Sequence, residues 1–152
     1  MGRLGASSRS SPGPLWERGQ EMADLLCREF QETVGKYLAR HRSVLDVMSK
    51  LQEAGARTNR AVAKAVTSCG CVQVSAARQK VPDNSGYRDL VQHMQTHVKG
   101  TLCEGCRETL ESEVGLQLLY LAGLCEVLKL DLGEVLQREH NRLSALGPFY
   151  FC

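Results

Sequence analysis

Two closely spaced cysteine pairs place the strongest constraint on how this chain can fold. One residue separates Cys69 from Cys71, two residues separate Cys103 from Cys106, and 31 residues lie between the pairs. A tetrahedral Zn²⁺ site needs paired thiolates on short turns, so that both sulfurs of a pair reach one ion at about 2.3 Å. The spacing therefore predicts a fold that brings the two pairs together around one structural zinc ion.

Other interpretations of these thiols stay open at the level of sequence. The chain has seven cysteines, an odd number that does not favour a complete disulfide framework. Four reduced cysteines packed at helix ends, a redox pair and an iron–sulfur cluster are the alternatives to zinc. His93 and His97, four residues apart on a predicted helix, are further possible ligands near Cys103.

Composition and periodicity together predict an all-α fold. Aromatic residues form only 5% of the chain, so Leu, Val and Ala must build the core. Apolar residues recur at spacings of three and four, the helical period, over residues 22–40, 43–67, 87–100, 103–128 and 131–146. We expect a four- to five-helix bundle.

Residues 69–86 break this helical pattern. Val72 and Val74 alternate with polar residues, and turn-forming residues follow from Pro82 to Gly86. The sequence thus predicts a short irregular or β insertion that carries the cysteine cluster.

The chain length of 152 residues suits one domain. Residues 1–21, rich in Ser, Gly and Pro, are predicted to form a disordered tail, and residues 22–152 the helical domain; Met22 is an alternative start. The apolar stretch 116–128 is shorter than the roughly 20 residues of a membrane span. Because no secretory signal is visible either, we expect a cytoplasmic protein without a membrane partner. A net charge of +2 indicates no specific nucleic-acid partner.

Two segments resemble a known enzyme family. Residues 111–134, ESEVGLQLLYLAGLCEVLKLDLGE, resemble the second motif helix of the MazG-like all-α nucleotide pyrophosphohydrolases, and residues 51–57, LQEAGAR, resemble the first motif. The whole chain also resembles uncharacterised bacterial proteins that carry the same two cysteine pairs. The resemblance implies a MazG-like helical fold, a nucleotide ligand, and a homodimer or larger assembly.

In that family, carboxylates from two helices hold Mg²⁺, which bridges the triphosphate and activates a water molecule. The resemblance implies Glu53, Glu111 and Glu113 as the catalytic carboxylates of this chain. Arg57 and Lys64, which lie with Arg60 along one side of a predicted helix, are candidates for phosphate binding. The alternatives for these cations are a solvated face or ion pairs with the acidic helix over residues 103–128.

The acidic motifs are incomplete. Gln52 and Ala56 replace acids of the first motif, and Leu116 replaces the aspartate that closes the second. Too few oxygen ligands then remain for tight Mg²⁺ binding, so we expect weak or absent pyrophosphohydrolase activity and a role in binding or regulation. The alternative is an active enzyme in which other carboxylates substitute, for example Glu104, Glu108 or Glu126.

Overall fold

Helices dominate the structure. The computed structural model describes residues 15–38, 42–82, 86, 90, 92–147 and 150. Within them lie four α-helices, α1 (Leu15–Tyr37), α2 (Val44–Lys64), α3 (Glu104–Leu128) and α4 (Leu132–Leu146), and two short strands, β1 (Val72–Val74) and β2 (Val98–Gly100). The predicted all-α bundle with a small β insertion is confirmed.

The first helix is longer at its start than the periodicity predicted. α1 begins at Leu15, before the expected first residue Met22, and ends at Tyr37. No proline follows Pro14 within the helix, so nothing in the sequence 15–21 interrupts helical hydrogen bonding. Residues 15–21 of the predicted tail therefore belong to α1, while residues 1–14 lie outside the described part of the chain.

The predicted start of α2 is confirmed, although its capping bond is not formed. Ser43 occupies the N-cap position in an extended conformation, but its side chain makes no capping hydrogen bond. At its other end α2 continues into a π-helical turn, Ala65–Cys69. This wider turn carries the chain to the first cysteine pair.

The prediction of a helix reaching Gly100 is wrong at its C-terminal end. His97 has a positive φ of 59°, and Val98–Gly100 form β2, which pairs antiparallel with β1. Val72 lies opposite Gly100 and Val74 opposite Val98 in this ladder. The spacing of Met94 and Val98 mimics a helical period, but pairing with β1 satisfies the backbone groups of this segment instead.

Helix α3 is the central element, because α1 and α2 both pack against it. On the α1 side, Val34, Ala122, Cys125 and Leu132 form the buried core cluster. Gly123 allows the close approach, since a Cβ atom there would lie 2.6 Å from Leu38 Cδ2. On the α2 side the buried residues are Val47, Ala54 and Ala65.

Two polar side chains secure the turn between α3 and α4. The side-chain amide of Gln31 donates to the Leu130 carbonyl at 2.8 Å, and its oxygen accepts from the Leu132 amide at 2.8 Å. Asp131, where the predicted last helix begins, caps α4 by accepting from the Glu134 amide at 3.0 Å. These bonds fix α4 relative to α1 and α3. None of the described helices combines the length and apolar character that a membrane span requires.

The hairpin depends on a glycine, which gives a first prediction. Gly100 has a φ of +85°, and a Cβ atom there would lie 2.7 Å from the Cys71 carbonyl oxygen. Gly100→Ala should lower the free energy of unfolding by about 1–3 kcal/mol, measured by urea denaturation under reducing conditions. Gly115→Ala, on α3 away from the cysteine pairs, is the control, because no atom beyond the backbone of its own helix and its chain neighbours lies within 4 Å of its Cβ position. Equal stability of the two variants would contradict the role given to Gly100.

Candidate metal centre

The two cysteine pairs meet in space. The sulfur atoms of Cys69, Cys71, Cys103 and Cys106 all lie within 4.8 Å of one another, and Sγ of Cys69 is 3.6 Å from Sγ of Cys103. Four sulfurs that surround a zinc ion at about 2.3 Å in a tetrahedron are about 3.8 Å apart. The predicted convergence is confirmed, and the cluster can hold a metal ion.

The first pair is positioned by the end of α2. The π-helical turn closes with a hydrogen bond from the Gly70 amide to the Ala65 carbonyl at 3.0 Å, and Gly70 then adopts a left-handed φ of 72°. This reversal folds Cys71 back, so that its thiol lies 3.7 Å from the same Ala65 carbonyl. Glycine suits the position because a left-handed conformation strains other residues.

The second pair is positioned by the start of α3. Cys103 is the N-cap residue in an extended conformation, and Cys106 lies in the first helical turn. Pairing of β2 with β1 places this start beside Cys71, because Gly100 lies opposite Val72. The positive end of the helix dipole also favours thiolate over thiol.

Hydrogen bonds within the cluster separate the proton affinities of three of its thiols, Cys69, Cys103 and Cys106. The backbone amide of Cys106 and the thiols of Cys106 and Cys69 donate to Cys103, which lowers the pKa of Cys103 to about 7. The thiol bond from Cys106 to Cys103 raises the pKa of Cys106 to about 12, and the separate thiol bond from Cys69 to Cys103 raises the pKa of Cys69 above its ordinary value. These bonds favour the thiolate at Cys103 over thiolates at Cys106 and Cys69, whereas a bound cation would stabilise all four thiolates.

The other cysteines and the histidines lie elsewhere. Cys125 is buried in the α1–α3 core, where desolvation raises the pKa of its thiol, and Cys27 lies on α1 beside Gly133. Cys152 falls outside the described residues. His97, predicted to share a helix face with His93, lies outside any helix, so that alternative ligand pair is not formed.

The candidate acidic residues do not come together as the cysteines do. Glu113 forms a bidentate ion pair with Arg57, with both N···O distances 2.8 Å, and Glu53 pairs with Lys50 at 2.8 Å. Glu111 is exposed. Within the described ranges, the four cysteines are the one group of three or more potential ligands at metal-binding spacing.

The ion pairs lower the pKa values of the Glu113 and Glu53 carboxyl groups. The hydrogen bonds from Arg57 hold the pKa of Glu113 below its usual range, and those from Lys50 do the same for the pKa of Glu53. Arg57, a candidate for phosphate binding, thus makes the interhelical ion pair that was its alternative. Lys64, the second phosphate candidate, is exposed at the end of α2.

A polar clamp extends the hairpin, and the sequence did not reveal it. The His97 ring lies 3.2 Å from the Ser75 carbonyl through Nδ1, and 2.8 Å from the Gln79 side-chain amide through Nε2. Gln79 also bonds the backbone of Gln95 on both its amide and its carbonyl. A single histidine and a single glutamine carry no spacing signal, so only the structure shows that they hold residues 75–79 against residues 95–97.

Comparison with known proteins assigns this chain to no family. No protein-family model, no curated protein and no solved structure matches it. The chemistry of the site therefore has to be argued from its own atoms.

Proposed function

We propose that this chain binds one Zn²⁺ through Cys69, Cys71, Cys103 and Cys106, and that the ion has a structural role. The observation that carries the proposal is the mutual approach of four sulfur atoms to within 4.8 Å. Four protein ligands complete a tetrahedral shell and leave no position open for water or substrate. A closed shell of this kind stabilises a fold and does not catalyse.

The sulfur spacing also favours a single ion over the alternatives. An iron–sulfur cluster distributes its cysteine ligands over several iron atoms and therefore needs more widely separated sulfurs. Four thiols that stay reduced and unligated gain little from this approach, because thiols are weak hydrogen-bond donors and acceptors. Zinc satisfies all four sulfurs at the observed spacing.

Zinc content and stability test this proposal. Purified under reducing conditions, the protein should contain one zinc per chain by elemental analysis, and chelation should lower its melting temperature by about 10 °C or more. Cys71→Ser should abolish stoichiometric zinc binding. Cys27→Ser is the matched control, because that thiol lies on α1 outside the cluster, and it should retain one zinc. A zinc content near zero in the wild-type protein would refute the proposal.

We further propose that the chain is a MazG-like helical protein with little or no pyrophosphohydrolase activity, which acts in binding or regulation. The ion pairs Arg57–Glu113 and Lys50–Glu53 support this proposal. A carboxylate that already neutralises a guanidinium is a poor Mg²⁺ ligand, since the metal must displace the cation. The missing acids at positions 52, 56 and 116 remove the other ligands that the resemblance implies.

A Mg²⁺-dependent pyrophosphate-release assay over the common nucleoside triphosphates tests this second proposal. We expect turnover well below about 1 per second, a low value for an enzyme. Turnover at or above that rate that Glu113→Gln abolishes would contradict the proposal and favour the active enzyme. Activity that survives Glu113→Gln would assign the reaction to a contaminant or to another site.

We also propose that the chain is a homo-oligomer, assembled through α3. Val114, Leu118, Leu121 and Leu128 follow one another at heptad spacing on this helix and are 40–52% exposed. This apolar stripe lies beside the faces that α1 and α2 cover, and spacings of three and four suit packing against a second helix. A second copy of α3 offers the same stripe, so the contact would be self-complementary.

The molar mass in solution tests the assembly. Light scattering should give a mass of at least two chains for the wild-type protein. Leu118→Glu should shift the mass toward one chain, because it places a charge within the stripe. Leu146→Glu, at an exposed apolar position of α4, is the control and should leave the mass unchanged. A wild-type mass of one chain would refute this proposal.

A further inference from the structure

Charge is divided unevenly along the chain, although the net charge is small. Residues 58–107 hold seven Lys or Arg and three Asp or Glu, whereas residues 108–152 hold three Lys or Arg and seven Asp or Glu. The basic segment 58–107 and the acidic segment 108–152 therefore cancel each other within the net charge of +2. The basic segment includes all four cysteines of the metal centre.

The described cations of this segment are exposed and carry no ion pair. Elsewhere in the described chain, Lys50, Arg57, Lys129 and Arg142 each pair with a carboxylate. Between residues 58 and 107, no salt bridge or side-chain hydrogen bond engages the exposed cations that the structure describes, which are Arg60, Lys64, Arg78, Lys80, Lys99 and Arg107. Their charge is thus free to act on a partner.

The fold gathers these cations at the cysteine end of the molecule. Lys64 is the last residue of α2, directly before the turn to Cys69, and Arg107 follows Cys106 in α3. Lys99 lies on β2 opposite Gln73. The clamp of His97 and Gln79 holds the segment with Arg78 and Lys80 against the hairpin. Arg60 lies four residues before Lys64 and so shares its face of α2. We call these six residues the basic end.

The positive charge of the basic end exceeds the negative charge of the metal centre and of the carboxylates beside it. A zinc ion with four thiolates carries two net negative charges, and Glu104 and Glu108 add two more on the first turns of α3. Among the described residues, six cations outweigh these four charges. Balancing the thiolates therefore does not account for the whole described cluster.

We propose that the basic end binds the phosphate backbone of double-stranded nucleic acid without regard to sequence. Regularly spaced phosphates attract clustered Lys and Arg through release of counterions, and such contacts carry no sequence information. The described residues between 42 and 107 include no Phe, Trp or Tyr, so the described part of this surface offers no aromatic platform on which unpaired bases could stack. The same absence disfavours membrane insertion, in which aromatic anchors participate.

Fluorescence anisotropy with the full-length, zinc-loaded protein tests the proposal. The probe is a labelled mixed-sequence DNA duplex of about 24 base pairs at about 50 mM salt, with a dissociation constant expected on the order of 1 to 100 μM that weakens steeply as salt rises. A single strand of the same length should bind more weakly. Zinc content and melting temperature are measured for every sample, so a failure of the metal proposal is seen separately.

The decisive comparison uses two double charge reversals. Lys64→Glu with Lys99→Glu should weaken duplex binding by about tenfold or more, because both lie at the basic end. Lys36→Glu with Arg138→Glu changes the net charge equally at exposed positions on α1 and α4, and it should weaken binding far less.

Four results would overturn the proposal: no binding by the zinc-loaded wild type, equal loss in both double variants, tighter binding of the single strand, or binding of anionic lipid vesicles in place of the duplex. A sample that holds no zinc and still binds the duplex would refute the metal proposal and support this one.

Discussion

The antiparallel packing of α2 on α3 is the constraint on which the rest of the structure depends. Arg57 meets Glu113, Thr58 meets Gln117, and the same register brings the end of α2 level with the start of α3. The interface between α2 and α3 is narrow because its buried residues are small, Ala54 and Ala65 among them. Small side chains let the two helices approach closely. Any shift of one helix along the other would separate the cysteine pairs.

Packing alone gives the cysteine end little stability. Val72 is the buried residue of the hairpin, and burial of one valine contributes about 1.5 kcal/mol. Structural zinc contributes an apparent free energy of about 10 kcal/mol or more in small domains. At this end of the molecule, the free energy of zinc binding would therefore contribute more to stability than the burial of apolar side chains. The α1–α3–α4 end, by contrast, has its own apolar core.

The sequence predicted elements with a local signal and missed those that depend on distant partners. The start of α4 at Asp131, the strand at Val72 and the start of α3 at Cys103 follow from neighbouring residues, and the structure confirms them. The spacing of Val98 to Met94 is also helical and therefore predicts a helix where the structure has a strand. Only its partner strand decides between the two, and that partner lies more than twenty residues away.

The candidate site could also be predicted from the sequence only in part. Paired cysteines with short spacing have few structural uses, so their convergence could be predicted from the sequence alone. Acidic residues on helices have many uses. Whether Glu113 binds a metal ion or a guanidinium depends on the rotation of α2 about its own axis and on the level at which Arg57 lies opposite Glu113. No spacing within one helix contains that information, and the bidentate pair appears only in the structure.

The ion pair and the cysteine cluster occupy successive positions along the interface of α2 and α3. Seven residues after Arg57, α2 presents Lys64, and seven residues before Glu113, α3 presents Cys106. Since seven residues make nearly two helical turns, these positions repeat the Arg57–Glu113 register at the end of the bundle. At this level α3 thus presents the thiol of Cys106 where a carboxylate would complete a second ion pair. Cys106 joins the three other cysteines of the cluster, and Lys64 forms no ion pair within the described part of the chain.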